Sequence, residues 1–494
     1  MPKEKTATNV ISLVDKGKLV KAEEVILRWL DKNPNDFHAL GNYTDIMMRR
    51  ANHGLAIHLY RYLLREWTDM PEYARSLIWA NIGQSLLLEG FQTEAEHAFT
   101  RAVEINDKEP GIYNAMGCCY INQGQPDKVI EHCDKALSLD PEMRQAKWNR
   151  AVAYLEKGEW AEGWPGYDEG ERVLKQRSYK EGESMKQWTG KRNQTVVAWG
   201  EQGVGDEILF GTCLPDFIKK VKNPIIDCHP RLEKTFKRSF PGVPIYGTRK
   251  TKEITWHHKH KIDRQISIAS LPKLFRNSAD KFPGKPYLKA DPERIKVYRE
   301  NLEKLGPGPY VGIAWFGGEK KTRFDYRAIP LTEWGPIFDT GATFVSIQYN
   351  KWGHKQDAAK AGITHWDKPV DDLDEQMALI MACDLVISVC QSVVHFSGAL
   401  GKECWCLTPA RPAWRYGLTD DKMVWYGDAV TLIRQLESDR EKESGQWDSV
   451  IKTAADKLIE YKEQYNARNI GEPSLRVDGF GGVRTMAEGQ PQPG

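Results

Sequence analysis

Three glycines stand 34 residues apart, Gly90, Gly124 and Gly158, and this period limits what the first third of the chain can become. A self-similar period of this length marks a stacked array, in which one supersecondary unit cannot bury its apolar face until a neighbour covers it. Each glycine falls where a stretch of helical hydrophobic period runs out, the place where a helix ends and a turn begins. Seven residues before each lies a small residue, Gly83, Gly117 or Ala151, suited to close helix approach. Four before each lies Leu86, Tyr120 or Tyr154, and nine after each lies Phe99, Cys133 or Tyr167, the larger packing positions. Ala102 and Ala136 share a further register, and Pro141 closes the third turn.

These slots resemble the tetratricopeptide repeat, strongly over 76–143 and well over 144–175. Upstream the period loosens. Ala22, Ile26 and Pro34 fit the second half of a repeat, and Phe37, Leu40 and Gly41 open another that needs about eight extra residues before Trp79. Four to five helical pairs are expected across roughly 5–175, forming a repeat region over 1–175. Such an array offers a concave groove for a peptide, a protein partner or a second copy; a rigid structural extension is the plainer alternative.

With 70 basic and 68 acidic residues the formal charge is +2, so composition gives no support to nucleic acid as the main ligand. The nine cysteines form no C-x-x-C pair, and their odd number argues against a full disulfide framework. They are expected as small buried hydrophobes in a reducing compartment. Residues 1–21 mix charges into their apolar positions without a signal-peptide core, and no run of 18 apolar residues offers a membrane span. A cytoplasmic location is expected.

Residues 176–193 have no clear periodicity and read as a linker. From Thr195 the pattern changes to short apolar runs separated by glycine turns and helices. Thr195–Trp199 reads as a buried strand, followed by the turn Gly200–Asp206 and one amphipathic helix carrying Ile208, Leu209, Phe210, Leu214, Phe217 and Ile218. Further strands are expected at Tyr310–Ala314, Thr343–Gln348, Asp384–Val389 and Glu403–Leu407, with helices around Glu375–Met381 and Val393–Leu400. Alternating strands and helices mean a parallel sheet covered on both faces. A Pro/Gly-rich stretch at 283–309 divides the pattern into two Rossmann-like lobes, 194–290 and 305–440, followed by a helix over 441–470 and a tail over 471–494 expected to be disordered. Ligands of such folds bind at the carboxyl ends of the strands, where the glycine turns sit. The turn Gly203-Val204-Gly205-Asp206 is a weak signal alone, since a glycine turn before a helix equally serves close packing. It is no P-loop, because no Gly-Lys-Ser/Thr follows, and it lacks the dinucleotide spacing.

Three segments in order resemble the heptosyltransferase-type glycosyltransferases (family nine), more closely those relatives that carry N-terminal tetratricopeptide repeats. They are Trp199–Ile208 with Leu214-Pro215; Val311–Trp315, Arg323–Leu331 and Ser346–Gln348; and Asp384–Val389, His395–Lys402 and Pro412–Gly417. The likeness spans about 195–440, and its specificity lies in the ordered set.

The resemblance implies a GT-B fold, two facing Rossmann-like lobes with the active site between them, and inverting transfer from a nucleotide-sugar without metal or cofactor. Asp206 falls on the aspartate that serves as general base in several members. A carboxylate there suits the removal of a proton from the attacking hydroxyl, while a leaving diphosphate needs positive charge and helix N-termini. Arg323 and Arg327 supply charge; Gly203, Gly205, Ser392, Val393 and Trp315 complete the donor site. His395 either touches phosphate or caps and packs, and Gln348 either bonds the base or ribose or caps the sheet. Many relatives have an aspartate and then a hydroxyl residue where this chain has Cys390 and Gln391, so sugar identity does not carry over. Asp372-Leu373-Asp374 looks like a metal-binding Asp-x-Asp but precedes a helix and reads as its cap. His257-His258-Lys259-His260 reads as a solvated loop. The expected function is glycosyl transfer to a glycan, lipid or protein acceptor recruited by the repeats. The alternatives are a catalytically silent scaffold with a nucleotide-sugar-sensing module, and a transferase acting on protein side chains or modified DNA.

Overall fold

The computed structural model describes residues 3–121, 123–170, 179, 186–251, 254–318, 326–349, 353–442 and 444–469. Ten helices come first: α1 Lys3–Asp15, α2 Leu19–Leu30, α3 Phe37–Arg49, α4 His53–Glu66, α5 Glu72–Glu89, α6 Gln92–Ile105, α7 Pro110–Ile121, α8 Pro126–Leu139, α9 Arg144–Glu156 and α10 Trp160–Tyr167. The periodic glycines end α5, α7 and α9 in the left-handed region, at φ +91°, +63° and +79°, which a residue without a Cβ adopts at no steric cost. A Cβ on Gly83 would lie 2.8 Å from the Phe99 ring, so the small slot and the large slot nine after the turn glycine are partners across α5 and α6. Ala102, Cys133 and Ala136 are fully buried beside them. The extra residues before Trp79 are taken up by the loop Trp67–Pro71 and by α5, which runs to 18 residues.

Two sheets follow. The first unit runs β1 Thr195–Trp199, α11 Val204–Gly211, α12 Leu214–Lys220, β2 Asn223–Asp227, α13 Glu233–Ser239, β3 Ile245–Tyr246, β4 Arg264–Ser267 and α14 Pro272–Phe275. After α15 Pro292–Glu303, the second runs β5 Tyr310–Ala314, α16 Gly335–Phe338, β6 Thr343–Ser346, α17 His354–Lys360, β7 Thr364–His365, α18 Lys368–Asp371, α19 Leu373–Ala382, β8 Leu385–Val389, α20 Ser392–Leu400, β9 Cys404–Thr408, β10 Lys422–Met423, β11 Gly427–Arg434, α21 Glu437–Arg440 and α22 Asp448–Asn469. The single helix expected after the Gly200–Asp206 turn, carrying Ile208 to Ile218, is two, because Pro215 lacks the N–H needed to continue α11 and instead sits in the first turn of α12. Strand order is β3-β2-β1-β4 in the first sheet and β10-β11-β9-β8-β5-β6-β7 in the second, all pairs parallel except β10 with β11. In both sheets the strand order reverses beside the first strand, between β1 and β4 and between β5 and β8. Such reversals leave a crevice at the carboxyl ends, and α11 and α20 begin there.

Residues 186–193 are packed rather than loose. Gln187 bridges Gln265 on the open edge of β4, and the Trp188 ring lies 5.5 Å from Phe217. The tail 471–494 lies outside the described residues. Eight of the nine cysteines are buried and all are free thiols.

The helical array is joined to both sheets by aromatic packing. Trp164 of α10 is fully buried, donates its indole N–H to the Arg276 carbonyl at 2.6 Å, and faces Trp414 at 5.8 Å and Trp425 at 6.2 Å. Trp160 meets Phe282 at 4.7 Å. The two sheet units are also clasped through α13 and α19: Arg238 grips buried Asp374 with two bonds of 2.8 and 2.7 Å, and Thr235 adds a third at 2.8 Å. Asp372 caps α19 by accepting the Asp374 N–H at 2.9 Å, as its place before the helix implies.

Candidate functional site

Strand β1 delivers the chain into the turn Gly200–Gly205. A Cβ on Gly200 would lie 2.3 Å from the buried Glu207 carboxylate, so glycine leaves room for that side chain, and the Gly200 N–H bonds the Asp227 carbonyl at 2.7 Å. Gly203 caps α11, and its N–H donates to Asp206 Oδ2 at 3.2 Å. This puts the Asp206 carboxylate at the positive end of α11, where a negative charge is favoured. Gly205 lets the second sheet unit approach: a Cβ there would stand 3.2 Å from Ser392 Cα and 3.1 Å from the His395 ring. The N-termini of α11 and α20 therefore meet at this glycine.

Between them opens a cleft of about 610 Å3. Gly203, Gly205, Asp206, Arg327, Ser392 and His395 line it, so six of the residues singled out in the sequence come together from segments nearly 200 positions apart. Cys390 and Gln391 line it too, at the start of α20. Arg327 donates to the Cys390 carbonyl at 3.3 Å. His395 is buried with Nδ1 3.2 Å from the Tyr426 hydroxyl. Burial first, and then Arg415 and Arg327, push its pKa down to about 3, so its ring is neutral and offers hydrogen bonds rather than charge.

Three expected residues are placed otherwise. Gln348 is fully buried in the sheet's cap. Its Oε1 accepts the N–H groups of Trp315 and Phe316 at 3.1 and 3.0 Å, and its Nε2 donates to the Phe316 carbonyl at 3.0 Å. That amide is used to fix the turn after β5, the sheet-capping role. Trp315 does not line the cleft; it is buried and borders a separate cavity of about 740 Å3, shared with Phe316 and His354. Val393, the second residue of α20, is buried and does not line the cleft. Arg323 lies outside the described residues.

The structure adds residues that spacing did not single out. Arg415, in the short turn Trp414–Tyr416, donates to Asp206 Oδ1 at 2.5 Å. Its only sequence signal is the quoted segment Pro412–Gly417. The helical array supplies a third wall through Ile121, Trp148, Val152 and Glu156. Behind the turn, Glu207 is wholly buried, accepting the His229 N–H at 2.8 Å and facing Arg249 at 3.1 Å. Burial pushes its carboxyl up to about 7 while Arg249 opposes the rise.

The tetratricopeptide repeat family model matches residues 110–143, the span of α7, its loop and α8. The chain is 25% identical over 402 residues to Protein FlbA of Caulobacter vibrioides, covering 70% of this chain and 67% of FlbA. It is 32% identical over 110 residues to Photosystem I assembly protein Ycf3 of Acaryochloris marina, covering 22% of this chain and 62% of Ycf3. A crystal structure of MamA aligns with 32% of this chain and 90% of its own, at 21% identity and a TM-score of 0.28. The helical part of this chain is thus a tetratricopeptide-repeat region.

Proposed function

We propose that the cleft transfers a sugar from a nucleoside-diphosphate sugar to an acceptor hydroxyl, with inversion, on a GT-B-type pair of lobes. The observation that carries this is the meeting of two helix N-termini, Arg327 and the Asp206 carboxylate in one crevice at both strand-order reversals. The acceptor hydroxyl attacks the anomeric carbon while its proton passes to Asp206. The bond from that carbon to the phosphate oxygen breaks, and the nucleoside diphosphate leaves with the electron pair. Asp206 is oriented for this by Gly203 and Arg415, and each carboxylate oxygen has a further lone pair for the acceptor proton. Arg327 and the positive end of α20 meet the charge growing on the diphosphate. Neutral His395 contributes a hydrogen bond there. Cys390 and Gln391 sit at the cleft end of α20, where they set which sugar is taken.

A catalytically silent nucleotide-sugar sensor is the second reading, favoured by the pairing of Asp206 with Arg415. The first test is thermal stabilisation of the full chain by a panel of nucleoside-diphosphate sugars. A donor at one hundred times its Kd should add about 2.7 kcal/mol of stability. A panel in which no member raises the melting temperature would sink both readings; a donor that binds and is never turned over would leave the sensor.

A further inference from the structure

The ninth position after each periodic glycine is a core slot of the repeat: Phe99 fills the space left by Gly83, and Cys133 lies 3.4 Å from where a Gly117 Cβ would be. The last repeat uses the slot differently. Its residue is Tyr167, buried, with its ring 6.0 Å from Phe210 of α11 and 5.5 Å from Trp414. Its hydroxyl accepts a bond from Gln202 Nε2 at 3.3 Å.

Both contacts lead to Asp206. Gln202 lies in the turn that presents Asp206, and its φ is +61°, a left-handed value held by only one other non-glycine residue among those described, Ala51. A residue with a Cβ keeps that conformation only where its surroundings over-determine it, and such strain gathers at functional sites. Trp414 precedes Arg415, the cation bound to Asp206. One tyrosine from the repeat array thus touches the two arms that converge on the carboxylate.

We infer that Tyr167 is a positioning residue for the sugar transfer proposed above, on which this inference rests. Its hydroxyl holds Gln202, and through it the turn, while its ring holds Trp414 beside Arg415. The last repeat is in this way a working part of the transfer site.

The test uses the full chain, the nucleotide-sugar that stabilises it, and hydrolysis with water as the acceptor. Tyr167→Phe keeps the ring and removes the hydroxyl, so the melting temperature and the KM for donor should hold while kcat falls about three- to tenfold, the effect of one neutral hydrogen bond. Gln202→Gly frees the backbone of its strain, so the melting temperature should hold or rise while kcat falls by a similar factor. The double variant should fall no further than either single one, because the two residues act through the same bond. Wild-type kcat in either single variant overturns the inference, as do multiplicative losses in the double variant. So does a loss in Tyr167→Phe that merely tracks a lower melting temperature. Absence of any donor for the wild-type chain instead overturns the sugar-transfer reading itself.

Discussion

Replacing Trp164 by alanine tests whether the repeat region is built into the α/β core. Trp164 is among the largest fully buried side chains, and four aromatic rings surround it: Trp160 at 5.9 Å, Tyr167 and Trp414 at 5.8 Å, and Trp425 at 6.2 Å. Truncating a core tryptophan costs about 3–5 kcal/mol. The Arg276 carbonyl, deprived of its 2.6 Å donor, adds about 1–3 kcal/mol. Against a total stability of roughly 5–15 kcal/mol for a typical domain, this is enough to uncouple the array from its base. Urea unfolding should be followed by far-ultraviolet circular dichroism, weighted toward the helices, and by tryptophan emission, weighted toward the aromatic cluster. The two curves should coincide in the wild type and separate in Trp164→Ala, with the emission transition at lower urea. Trp164→Phe should show a smaller loss, the hydrogen bond plus the packing of the missing half of the indole. An alanine variant within about 1 kcal/mol of wild type, its curves still superimposed, would refute the reasoning.

Two further outcomes follow from the same packing and burial. Fragment 1–143 should be helical by circular dichroism, because the core of the array lies within α1–α8 except for Ala146 and Ala153 of α9, whereas fragment 1–175 should expose Trp160 and Trp164 and aggregate or bind a hydrophobic dye; equal solubility of the two would contradict this. Glu207 has a folded pKa of about 7 against 4.5 when free, so its contribution to stability is full below pH 4.5 and is lost as pH rises through 7. Glutamine carries no such proton, so the unfolding free energy of Glu207→Gln should gain on that of wild type by roughly 3 kcal/mol between about pH 4.5 and pH 8. Urea midpoints at the two pH values measure this, and a pH-independent difference counts against it.

Local features of this fold were legible wherever one physical requirement selects one residue type. Gly90, Gly124 and Gly158 could be placed because a left-handed helix end favours glycine, and the strand Thr195–Trp199 because five apolar residues between turn signals fit a buried parallel strand. Asp206, Arg327, Ser392 and His395 came from the resemblance, whose ordered segments carry or flank them. Contacts of long range were not legible. Nothing near Asp206 in sequence announces Arg415, 209 residues away, and nothing near Trp164 announces Arg276. Gln348 shows the opposite failure: its position at a strand's end is that of a ligand contact, yet the two bare N–H groups after β5 needed an acceptor and took its side-chain oxygen.

In the proposed transfer, Asp206 removes the acceptor proton while Arg327 serves the donor's diphosphate. This is tested most directly by measuring donor affinity and initial rate for Asp206→Asn and Arg327→Ala side by side. Asp206→Asn keeps the shape and loses the proton acceptor, so the rate should fall by about 10²–10⁴ with donor affinity little changed. Arg327→Ala removes a charge met by the diphosphate in ground and transition states alike, so affinity and rate should both drop. Full activity in Asp206→Asn, with a donor that binds the wild-type chain, would contradict the account.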